Sequence, residues 1–157
     1  MNGAALTIAV RRAQLGVAAF TALSAVVGGI LLVIGGLTGG SGGMSIPLSV
    51  LSGTPFRSFL WPGVILVLVV GGTQVLAVVL QLRRSAWTAA AMAVAGFALV
   101  IWMFAEVALL PGIDALQVFY FALGVAQLVL LAAVLGVLPQ IAVRPRRVRT
   151  PRVRHAL

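Results

Sequence analysis

Four long apolar runs fill this chain, separated by arginine pairs, a Pro-Gly break and one glycine-rich connection. The first, Ala13 to Leu37, follows Arg11-Arg12 and carries no charge. At about 1.5 Å per helical residue it is long enough to cross the roughly 30 Å hydrocarbon core of a bilayer. The second spans about 62–82: Trp61 and Pro62 open it, with proline in the first turn where its missing N–H breaks no helical bond, and Arg83-Arg84 closes it. A third run, about 86–110, stops at Pro111-Gly112, and a fourth, about 115–138, stops before Pro139. Asp114 is placed as the N-cap of the fourth, and Gln117, three residues on, completes an Asp-x-x-Gln capping box.

The pattern predicts an all-α membrane protein, a bundle of four transmembrane helices. Residues 1–12 form a short head, 13–138 the membrane domain and 139–157 an arginine-rich tail. The connection 38–60, with Gly-Gly-Ser-Gly-Gly and prolines at 47 and 55, reads as an irregular loop. Within it, Ser45 to Leu51 is apolar but too short to span, so a short strand or an interfacial segment is expected there. The first run competes with a signal peptide. It is much longer than the roughly 7–15 residues of a signal's apolar region and lacks a clear small-x-small cleavage site, so a retained helix is expected.

Composition agrees with the pattern: 62% of the 157 residues are hydrophobic and 8% charged, more apolar surface than a soluble domain of this size can bury. Cysteine is absent, which excludes disulfides and thiolate metal sites; the single histidine lies in the tail, and no metal or cofactor is expected. All eleven basic residues are arginine. Ten flank one side of the expected spans, in the head, the 83–84 turn and the tail, and Arg57 alone lies on the other. Positive charge gathers on the cytoplasmic side, so both termini are expected there and the loop 38–60 outside. Trp61 then falls at the outer interface and Trp87 at the inner one.

The tail carries Arg144, Arg146, Arg147, Arg149, Arg152 and Arg154. It reads as unstructured in isolation and as an anchor on anionic lipid headgroups, at about 1 kcal/mol per arginine near the surface. No aromatic residues are interleaved to stack bases, so nucleic acid is not an expected partner.

Both acidic residues fall around the Pro-Gly break. Glu106 sits about 6 Å below the outer end of the third span, with Trp102 one turn away on the same face. On the fourth span Gln117 and Tyr120 reach similar depth, about 4.5 and 9 Å from Asp114, and Arg57 in the loop could fold down to pair with the carboxylate. This set is either a hydrogen-bonded clamp or a ligand or proton site, since an ionisable group inside a span is a functional candidate by default. A second polar layer comes from Gln74, Gln127 and Ser24, all roughly 18–20 Å from the outer end and near the bilayer middle. Gln117, Tyr120, Gly124 and Gln127 line one helix face, which predicts a polar seam inside the bundle. Interhelical hydrogen bonding is the favoured reading of that seam, with a transport pathway as the alternative. Small residues four apart, such as Ala25 and Gly29 or Ala91 and Ala95, read as packing positions.

Pro55-Phe56, Trp61-Pro62-Gly63, Gly71-Gly72, Arg83-Arg84 and Ile101-Trp102 through Glu106 to Gln117 and Tyr120-Phe121 resemble a group of small four-span bacterial membrane proteins with no assigned activity. The resemblance covers roughly residues 50–138 and implies a fold and the bacterial cytoplasmic membrane, but no catalytic residue. Small multidrug transporters also combine four spans with an intramembrane glutamate. Theirs lies in the first span, which here has none, so that analogy is rejected. The expected function is therefore non-enzymatic: an accessory or envelope component acting through helix or lipid contacts, as a homo-oligomer or beside another membrane protein. Binding or transport of a small molecule or lipid through Glu106 and the glutamine seam is the alternative. The spans lack the histidine or second carboxylate that an acid–base pair would need.

Overall fold

The computed structural model of the chain describes residues 3–39, 48–109, 112 and 114–137. These residues form α1 (Gly3–Leu37), a 3-10 turn (Leu48–Leu51), α2 (Leu60–Leu82), α3 (Thr88–Leu109) and α4 (Ala115–Val134), with no strand among them. Four helices are long and apolar enough to cross a membrane, and the chain is an all-α, multi-pass membrane protein. The tail and its six arginines lie outside the described residues, as do Pro111 and Pro139.

Element boundaries depart from the sequence reading in three places. α1 begins at Gly3, so Arg11-Arg12 sit inside a continuous helix. Charge ends a span but not a helix, and arginine is a good helix former. In the loop, the described part of Ser45 to Leu51 is a 3-10 turn over Leu48–Leu51 rather than a strand, with residues 45–47 outside the described set. α4 ends at Val134 rather than near 138, because Gly136 takes a left-handed φ of 72° just beyond the C-cap Leu135.

Each helix packs against two others, α1 on α2 and α4, and α3 on α2 and α4, giving a four-membered ring. Two clusters fill it. Toward the Arg83 end lie Ala18, Ala77, Met92, Ala95 and Leu131; toward the Glu106 end lie Ala25, Val70, Leu99 and Met103. The tightest seam is between α1 and α2. A methyl group at Gly63 would lie 2.7 Å from the Gly29 carbonyl oxygen and 2.8 Å from the Val33 nitrogen, so only glycine permits this approach of two backbones.

α2 is not uniform: Leu60–Ile65 is α-helical, Leu66–Gly71 is π-helical, and Gly72–Leu82 is α-helical again. In a regular helix Gly63 and Gln74, eleven positions apart, would share a face at about 100° per residue. The π turn, closed by i→i+5 bonding, takes up about one extra residue and re-phases the rest of the helix. Gly63 can thus meet α1 while Gln74 meets α3 and α4.

Candidate functional site

The polar centre of the bundle is a pair of glutamines with no exposed surface, Gln74 on α2 and Gln127 on α4. The two helices are not neighbours in the ring, so the pair braces its diagonal. Gln74 Nε2 donates to Gln127 Oε1 at 3.0 Å and to the Ala95 carbonyl at 3.2 Å. Gln127 Nε2 donates to Gln74 Oε1 at 3.2 Å and to Met92 Sδ at 3.7 Å. Both amides thereby use both N–H groups, and three helices are tied together. The Ala95 carbonyl fixes the orientation: flipping Gln74 would set oxygen against oxygen there. A buried amide without partners costs about 1–3 kcal/mol, so this closed network is stable where a half-filled one would not be.

Ser24, expected in the same layer, does not join. Its hydroxyl donates to the Thr21 carbonyl at 3.1 Å, as Thr21 donates to Val17 at 2.9 Å. Short hydroxyl side chains reach back to their own helix more readily than across to another.

The second expected cluster assembles only in part. Glu106 is half-buried, with the Trp102 side chain as its polar neighbour one turn below. Trp102 in turn packs on the cluster of Val70, Leu99 and Met103, which Tyr120 also covers. Arg57 stands exposed in the loop and is not the partner of Glu106. Gln117 is buried, and its Oε1 accepts from the Asp114 N–H at 3.0 Å. The capping box forms as the sequence predicts, and it draws the Gln117 side chain back toward the start of its own helix. The Tyr120 ring stacks on Phe20 of α1 at 6.4 Å and meets Phe119 edge-on at 5.4 Å. Among the described residues, the hydrogen bond of this set therefore joins Gln117 to Asp114, with Glu106 beside Trp102 and Tyr120 engaged through its ring.

Two polar residues near the other end escaped the sequence reading. Gln81 Nε2 donates to the Arg11 carbonyl at 2.7 Å and locks the end of α2 to α1, while Gln14 is 3% exposed. A signal for both was present: Gln81 lies two turns beyond Gln74, and Gln14 extends the stripe Ala18, Ala22, Ala25.

Shallow apolar grooves open on the outer surface, one lined by Met103, Phe104, Val107 and Phe121, the other by Leu76, Leu80, Trp87 and Val94. Comparison with family models, curated proteins and solved structures finds no match to the chain.

Proposed function

We propose that this chain is a non-enzymatic integral protein of the bacterial cytoplasmic membrane, an accessory or envelope component that works through contacts of its helices with lipid and with other membrane helices. Both termini lie in the cytoplasm on this reading, and the arginine-rich tail rests on anionic headgroups. The observation that carries the proposal is the Gln74–Gln127 brace. The glutamines satisfy one another at zero exposure, and among the described residues the middle of the bundle keeps no unspent amide to offer a passenger. Large side chains face outward instead, Phe104 at 73% and Leu68 at 67% exposure, as suits a surface that meets acyl chains or another helix.

Glu106 is then a clamp for Trp102. Glu106→Gln should keep the thermal stability of the purified protein, and Glu106→Ala should lose about 1–3 kcal/mol through the unpaired indole. The functional test is proton flux in proteoliposomes loaded with a pH-sensitive dye. No flux above empty vesicles is expected, with or without Glu106; a proton leak that Glu106→Gln abolishes would overturn the proposal in favour of proton-coupled transport.

A further inference from the structure

We propose that the end of the bundle carrying Arg11, Arg12, Arg83 and Arg84 is a built seat for the phosphate of an anionic phospholipid. The inference deepens the lipid-contact reading and rests on it. The two arginine pairs are more than seventy positions apart in sequence, yet the hydrogen bond from Gln81 Nε2 to the Arg11 carbonyl sets the close of α2 against this turn of α1. All four arginines are exposed, and both acidic residues of the chain, Glu106 and Asp114, lie near the opposite ends of α3 and α4. No acidic side chain at this end neutralises the four charges, so an anion from outside the chain is the partner they lack.

The turn that presents Arg83 and Arg84 is held rigidly. Arg84 N–H donates to the Gln81 carbonyl at 3.1 Å and Ser85 N–H to the Leu80 carbonyl at 3.0 Å, the paired bonds of a Schellman motif. The Thr88 hydroxyl shares its single proton between the Leu80 carbonyl at 3.0 Å and the Ser85 carbonyl at 2.7 Å, fixing the start of α3 to the same turn. That motif calls for a left-handed residue at its penultimate position, normally glycine; here Arg84 occupies it at φ 52°. A guanidinium kept where glycine would fold more easily points to a use for the charge.

The α1–α2 crossing also holds unspent hydrogen-bonding capacity. Gln14 Nε2, a donor, is buried without a partner among the described residues. A phospholipid headgroup brings phosphate oxygens that accept from arginine and amide N–H groups. Trp87, exposed beside the turn, suits the same headgroup level.

Native mass spectrometry of the full chain in detergent, titrated with phosphatidylglycerol, phosphatidylcholine or inorganic phosphate, tests the seat. Phosphatidylglycerol should be retained about tenfold more tightly than phosphatidylcholine, and millimolar inorganic phosphate should not displace it. The double change Arg83→Gln with Arg84→Gly should weaken phosphatidylglycerol binding about thirtyfold, and Arg11→Gln with Arg12→Gln similarly, the tail being intact in both. Arg84→Gly alone should raise the melting temperature while lowering affinity about fivefold, which separates lost binding from lost folding. Unchanged affinity in both double variants would overturn the seat and leave the tail as the anionic-lipid contact. Displacement by free phosphate would overturn the lipid as its ligand. Neither outcome bears on proton flux, whose appearance would remove the lipid-contact reading instead.

Discussion

Gln74 and Gln127 spend all four of their amide hydrogens inside the bundle. Truncating one partner strands the other in an apolar interior, whereas replacing both removes the need for the bond. Gln74→Leu or Gln127→Leu should therefore each cost about 1–3 kcal/mol, and the two combined should recover much of that loss. A double-mutant cycle by thermal unfolding in one detergent measures it. Additive losses would mean that the side chains do not act as a pair. Depth along the helices was enough to set Gln74, Gln127 and Ser24 in one layer. It could not tell which side chains join, because that depends on reach: glutamine spans the diagonal, and serine returns to the Thr21 carbonyl. The same limit separates Gln117 from Glu106, since the capping bond from the nearer Asp114 N–H holds the side chain at its own helix end.

The elements follow from apolar run length and from the capping chemistry of Asp114, which is why the spans were legible. What the runs conceal is phase. The π turn at Leu66–Gly71 leaves no compositional mark, yet it determines that Gly63 faces α1 and Gln74 the brace. The glycines of α2 should accordingly differ sharply. Gly63→Ala places a methyl group 2.7 Å from the Gly29 carbonyl, so the helices must part. A loss of about 1–3 kcal/mol is expected from such overpacking. Gly72→Ala meets nothing nearer than the Val67 carbonyl at 3.9 Å and should be neutral or stabilising by up to about 1 kcal/mol. Comparable melting temperatures for the two variants would show that the α1–α2 seam is looser than the structure has it.

Across the molecule, charge and burial divide along one axis: Arg11, Arg12, Arg83 and Arg84 stand at one end, both carboxylates and Arg57 near the other, and an amide brace with no exposed surface lies between two apolar clusters. That division is what makes a contact protein a better reading than a conduit. Because the chain has no cysteine, single thiols report position without background. The most direct test is labelling of Thr54→Cys, Ser85→Cys and Val70→Cys by a membrane-impermeant maleimide, applied to intact cells and to inverted vesicles. Thr54→Cys should react only from outside, Ser85→Cys only from the cytoplasmic face, and Val70→Cys from neither. Labelling of Val70→Cys from either side would reveal a watered path along the axis and contradict the sealed bundle, and reversal of the other two would contradict its orientation.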